Sequence, residues 1–163
     1  MIEYLMATDE QRELAELAGQ IAEKELRPKL EEYESANDGL GAYPWEVHHI
    51  LADAGFYTMN MPEEWGGLDL DNVTRGLILE QISKVSCDFA FSFRGLGDKF
   101  NLIIDSHIPD ADKRMWIDKM LAGEAGGAFC LTEPEAGSDS KAIRTTAVKD
   151  GDEWVINGTK CFI

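Results

Sequence analysis

The residues from Phe129 to Asp139, Phe-Cys-Leu-Thr-Glu-Pro-Glu-Ala-Gly-Ser-Asp, carry the densest chemistry in the chain. A short buried strand, expected over Ala128 to Leu131, runs into Thr132, Pro134, Gly137, Ser138 and Asp139. Pro134 fixes one backbone angle and Gly137 permits a positive φ, so a tight bend is expected. Successive backbone N–H groups in such a bend form an anion nest. Thr132 and Ser138 add hydroxyls that can donate to a phosphate or a ring heteroatom. The same residues also suit an ordinary strand-to-loop connection, with Asp139 or Ser138 as a turn or cap residue. The segment matches neither GxxxxGK[ST] nor GxGxxG, so a P-loop or Rossmann reading has no support.

Other reactive residue types offer less. His48, His49 and His107 have no partners at metal-ligand spacing, and they read as surface or internally satisfied residues. Cys87, Cys130 and Cys161 form no CxxC pair, and three thiols do not all pair within one chain. Reduced thiols in a cytoplasmic setting are expected. Cys130 lacks a neighbouring His or basic activator in sequence and reads as a buried small apolar residue, as do Cys87 and Cys161.

Helices are expected to lead up to this segment. Thr8 and Gln11 form a capping-box pair. Leu14, Leu17, Ala18, Ile21, Ala22, Leu26 and Leu30 then fall at helical spacing, with Pro28 predicting a kink or break near Leu26. Asn37, Asp38, Gly39 and Gly41 read as a loop, and Pro44 as the first position of a second helix that Gly55 stops. Phe56 to Met61 reads as extended, and Pro62 to Gly67 as a turn. Asp71 caps a third helix to about Val85, and a fourth runs from about Asp88 to Ser106. Pro109 and Asp110 start a fifth, which Gly123 ends. Beyond it, Thr145 to Lys149, Glu153 to Ile156 and Thr159 to Ile163 read as strands, separated by the hairpin dipeptides Asp150-Gly151 and Asn157-Gly158. The fold class is therefore α+β. A five-helix N-terminal domain over 1–123 precedes an incomplete antiparallel β region over 124–163. The chain stops within an apolar run, Cys161-Phe162-Ile163, so a truncated β domain is expected.

Composition narrows the partners. Of the 163 residues, 31 are acidic and 15 basic, a formal charge of 15 − 31 = −16. Nucleic acid needs a basic surface and is excluded as a partner. No apolar run approaches a membrane span, and the first ten residues lack the basic character of a leader. The acidic excess is concentrated in residues 1–80, with 18 acids and five bases. Any anion site should therefore lie later in the chain.

Thr132-Glu133-Pro134-Glu135-Ala136-Gly137-Ser138-Asp139 resembles the TEPxAGSD signature of the acyl-CoA dehydrogenases, a family of flavoproteins. Met61-Pro62-Glu63-Glu64-Trp65-Gly66-Gly67 looks like its PExxGG loop. Asp150 to Lys160 resembles its hairpin with the ING-x-K turn, and the first helix with Pro28 is similar to its opening helix. Four motifs in order cover nearly the whole chain.

The resemblance implies a helical domain, a middle β domain and a C-terminal helical domain, usually assembled as a homotetramer. It implies FAD as cofactor and α,β-dehydrogenation of an acyl-CoA thioester in fatty acid metabolism. In that reaction a Glu takes the α proton, the β hydride passes to flavin, and electrons leave to an electron-transferring flavoprotein. The base is expected from the C-terminal domain, so no residue here is assigned as catalytic. The resemblance gives Glu133 a structural role rather than that of the base. This chain alone is expected to be inactive and to hold FAD weakly or not at all.

By position, Phe129, Cys130, Leu131 and Thr132 would line the flavin, with Thr132 near the reactive ring edge. Gly137 and Ser138 would approach the pyrophosphate, and Ser138 also the CoA thioester arm. Phe162 and Ile163 would pack on or beside the ring. Phe129 stands where Tyr is frequent and Phe162 where Trp is frequent, so each keeps an aromatic surface and loses a polar handle. Asp69 stands where Gly is common. Arg94 or Lys99 on the fourth helix would recognise a polar or carboxylated acyl group; a solvent-facing pair near Asp98 is the alternative. Enoyl-CoA reductase, oxidase or desulfinase chemistry remains open, as does a non-catalytic acidic docking module.

Overall fold

The computed structural model describes residues 6–36 and 45–163, apart from the side chains of 36 and 92–98. The expected loop at 37–41 and the expected helix start at Pro44 lie outside the described residues. The chain divides into two compact units, residues 1–127 and 128–163.

The first unit is helical. Helix α1 (Asp9–Ile21) starts at Thr8, whose hydroxyl accepts the Gln11 N–H while the Gln11 side chain accepts the Thr8 N–H. This reciprocal cap satisfies two of the donors a helix start leaves open, and Asp9 and Glu10 suit its positive end. Ala22–Leu26 widens into a π turn, and helix α2 (Arg27–Ala36) continues from it. Arg27 N–H reaches back five residues to the Ala22 carbonyl. Pro28 has no N–H to give, and its ring crowds the preceding turn. The wider turn just upstream accommodates it, so the expected interruption near Leu26 takes this form.

Helix α3 (Trp45–Asp53) buries Val47, His48 and Leu51. Lys29 of α2 pairs with Glu46 of α3 at 2.7 Å. The following Phe56–Thr58 is a 3₁₀ turn with Phe56 and Tyr57 buried, not the extended stretch expected. A short apolar run gives no periodicity to separate the two. Helix α4 (Asn72–Ser83) is capped by Asp71, helix α5 (Cys87–Ile104) by Ser86, and helix α6 (Asp110–Leu121) follows Pro109. Gly123 ends α6 at φ +70°, where a Cβ would also lie 2.5 Å from His49 Nδ1. Among the described residues there are six α-helical segments rather than five, because the π turn divides the first helix in two.

One core joins these helices through Leu26, Leu51, Tyr57, Met61, Ile82, Phe100 and Ile117, all buried. Tyr57 Oη and His48 Nδ1 share a buried hydrogen bond of 2.8 Å. His48 is thus a core residue, and burial holds its imidazole below the ordinary pKa. His49 and His107 are exposed. No helix among the described residues is long and apolar enough to cross a membrane.

The second unit contains an antiparallel pair, β1 (Thr146–Asp150) and β2 (Glu153–Asn157), in register from Thr146↔Asn157 to Asp150↔Glu153. The two-residue turn Gly151-Asp152 closes it, with Gly151 at φ +62°, the conformation the first turn position of a type II′ hairpin requires. Two strands expected from sequence do not form: 128–131 and 159–163 are irregular, so the expected turn at Asn157-Gly158 closes no second hairpin. A strand exists only with a ladder partner. Here Cys161 N–H donates once to the Thr132 carbonyl, at 3.0 Å, and Phe162 turns to φ +58°.

Candidate functional site

The bend at Thr132–Asp139 is built by backbone pairing across Pro134. Glu133 N–H donates to the Ala136 carbonyl at 3.0 Å, and Ala136 N–H returns to Glu133 at 3.1 Å. Gly137 does not adopt the positive φ expected of it. The reciprocal pair closes the turn two residues earlier, so no left-handed residue is needed at 137. A Cβ at Gly137 would meet no atom of the chain within 4 Å. Downstream, Asp139 accepts the Lys141 N–H at 3.1 Å and caps a 3₁₀ turn, Ser140–Ala142. Arg144 pairs with Glu135.

Glu133 anchors the whole arrangement. Its carboxylate accepts the Arg144 N–H at 2.7 Å, the Thr145 N–H at 2.9 Å and the Lys160 ammonium at 2.8 Å. It also accepts the Thr145 hydroxyl. Its residue exposure is 6%, the lowest of any described carboxylate. The Lys160 contact foremost, then the Thr145 hydroxyl and Arg144 N–H, hold its carboxyl at about 2, far below the ordinary 4.5. A carboxylate so weakly basic is suited to anchoring rather than to taking protons. Lys160 also donates to the Leu131 carbonyl at 3.1 Å. Gly158 makes the approach possible, since a Cβ there would sit 2.0 Å from Thr145 Oγ1.

The residues singled out from sequence take these places. Phe129 is 58% exposed, Leu131 is exposed and Thr132 half-buried. Gly137 and Ser138 are exposed, and neither N–H is used within the chain among the described residues. Phe162, 96% exposed, and Ile163 follow directly on Cys161, which is bonded to Thr132. Segments 129–132 and 160–163 are therefore tied together. Cys130 is exposed, as is Cys87, and Cys161 is half-buried, so the thiols are not the core residues expected. The strand that would have covered Cys130 does not form. Arg94 lies on α5, and its side chain is outside the described residues. The resemblance gives Glu133 a structural role without its partners, and Lys160 and Gly158 are not expected as organisers. Their partners lie 11 to 29 residues away, and no periodicity marks them.

Residues 8–124 match the model of the acyl-CoA dehydrogenase N-terminal domain, and residues 128–163 match that of the middle domain. The chain belongs to the acyl-CoA dehydrogenase family. The 3-(aryl)acrylate reductase of Clostridium sporogenes is 35% identical over 160 residues, covering 96% of this chain and 40% of that protein. The cyclohex-1-ene-1-carbonyl-CoA dehydrogenase of Syntrophus aciditrophicus is 36% identical over 159 residues, 96% of this chain and 37% of that one. An acyl-CoA dehydrogenase from Bacillus anthracis complexed with FAD superposes with a TM-score of 0.75 at 28% identity, over 94% of this chain and 27% of that chain. The chain spans about 40% of the length of the two curated relatives.

Proposed function

We propose that this chain supplies the helical domain (1–123) and the flavin-facing start of the middle domain (124–163) of an FAD-dependent acyl-CoA oxidoreductase. The observation that carries the reading is the anchored 129–138 segment, with exposed apolar side chains and unused N–H donors. Its residues fit FAD. Phe129, Leu131, Phe162 and Ile163 offer apolar surface to a planar ring, and Thr132 and Ser138 offer hydroxyl donors. The N–H groups of Gly137 and Ser138, with open space at Gly137, suit a pyrophosphate. Cys130 lines the same segment.

Bound FAD supplies the two-electron acceptor for α,β-dehydrogenation of an acyl-CoA thioester. In this reading the chain's residues bind and orient it, and Ser138 also holds the thioester arm. Glu133 is not the base, because its carboxylate is fully engaged, and in this reading the base comes from the C-terminal domain. Arg94 on α5 is assigned recognition of a polar acyl group, tested by the acyl preference of Arg94→Ala. The reading extends to an electron-transferring flavoprotein as redox partner, a homotetramer, a cytoplasmic setting and a place in fatty acid metabolism.

The test is purification of the protein at its native length, followed by acyl-CoA addition. Stoichiometric flavin whose absorbance bleaches supports the reading, and protein that neither carries nor takes up flavin overturns it. The identity with a protein named a reductase favours a second reading, the same chemistry run toward reduction of an α,β-unsaturated acyl group. Comparing oxidised and reduced electron mediators separates the two directions.

A further inference from the structure

We propose that Glu133 and Lys160 form a latch that sets the geometry of the flavin loop, making both of them positioning residues; this rests on the FAD reading above. Three stretches converge on one carboxylate: 131–133, 144–145 before β1, and 160–161 after β2. One oxygen of Glu133 accepts from Arg144, and the other from Thr145 and Lys160. Among the described residues, no other side chain hydrogen-bonds to both of the latter stretches. Lys160 then reaches on to the Leu131 carbonyl, and Cys161 N–H takes the neighbouring Thr132 carbonyl.

The consequence is local. Leu131 and Thr132 have their carbonyls spent on 160–161, which leaves their side chains for a ligand. Phe162 and Ile163 begin one residue after the tie. The apolar surfaces on both sides of the proposed ring site therefore inherit their spacing from one ion pair. That pair is sheltered, with side-chain exposures of 24% for Lys160 and 6% for Glu133. Shelter weakens solvent screening. A glutamine at 133 keeps the shape, but its NH2 must face an N–H donor or the ammonium, because both oxygens of the carboxylate are already accepting.

The experiment uses the protein at native length. FAD affinity is measured by flavin fluorescence, and loop order by amide hydrogen exchange of peptides spanning 129–139 and 159–163, for wild type, Glu133→Gln, Lys160→Met and Lys160→Arg. The expected result is a tenfold or greater loss of FAD affinity in Glu133→Gln and Lys160→Met, a shifted spectrum of the flavin that remains, and faster exchange in both peptides. Lys160→Arg should restore most of the affinity. If Glu133→Gln fails to fold, Lys160→Met carries the comparison, since it keeps the aliphatic stem. Unchanged affinity and spectrum in Lys160→Met overturn the latch, whether or not exchange quickens. A wild-type protein without flavin affinity overturns the FAD reading itself, and the latch with it.

Discussion

Gln11 Nε2 donates to Asp71 Oδ2 at 3.2 Å, joining the start of α1 to the start of α4 across 60 residues. Gln11 is also half of the Thr8 capping box, and Asp71 accepts the N–H groups of Val73 and Thr74. Two helix caps share one carboxylate. Asp71→Ala should cost about 1–2 kcal/mol of stability, the upper part of the usual cap range, because it releases both ends. Urea denaturation of the variant checks this, and a loss below a few tenths of a kcal/mol contradicts it.

Acid should expose the same group. The Thr74 hydroxyl, then the Thr74 N–H, hold the Asp71 carboxyl at about 2, from an ordinary 3.8. Folded Asp71 binds its proton less readily than unfolded Asp71. Its contribution is present above the unfolded value and is lost as pH falls from about 4 to about 2. In Asp71→Asn the fall in melting temperature over that range should be smaller than in wild type, as read by circular dichroism.

Arg114 of α6 grips the loop between the 3₁₀ turn and α4. Its guanidinium lies 4.4 Å from the Trp65 ring centroid and donates to the Trp65 carbonyl at 3.1 Å and to that of Glu64 at 3.4 Å. Lysine is a point charge without this planar fork. Arg114→Lys should destabilise by about 0.5–1 kcal/mol, the range for an exposed cation–π contact. Quicker proteolytic nicking near Trp65 would accompany it.

Asp69 stands where the family resemblance leads one to expect glycine, and it adopts φ +44°. A side chain there works against the left-handed backbone. Asp69→Gly should stabilise by about 0.5 kcal/mol, after the greater unfolded-state freedom of glycine is offset. A lowered melting temperature would contradict this.

Gly158→Ala should disturb the proposed site without reaching the helices. The added Cβ meets Thr145 Oγ1, which holds Glu133. Amide exchange should quicken over 129–145, while the helical melting transition moves by no more than about 2 °C, the shift that roughly 0.5 kcal/mol produces in a domain of this size. A cooperative loss of helix would contradict it.

Helix starts were legible because their signals are local. Thr8, Asp71 and Pro109 announce helices within four residues of themselves, and the apolar spacing after Thr8 supports its assignment. The hairpin was legible for the same reason, although its turn is Gly151-Asp152, one residue later than the expected Asp150-Gly151. The stretches 128–131 and 159–163 look like strands by composition, yet composition does not supply a pairing partner, and both are irregular here. Phe56–Thr58 failed for want of length. The candidate site divides likewise. The motif around Thr132 was visible as a string, whereas the Glu133 anchor depends on Arg144, Thr145 and Lys160, brought close only by folding.

Of the four tryptophans in the chain, only Trp154 falls within residues 128–163, on β2, where it is 63% exposed. With Trp45, Trp65 and Trp116 replaced by Phe, the emission of Trp154 becomes an optical label confined to that unit. Its wavelength and quenching by iodide would follow the hairpin alone, while far-UV ellipticity follows the helices, so one heating run would read the two units separately.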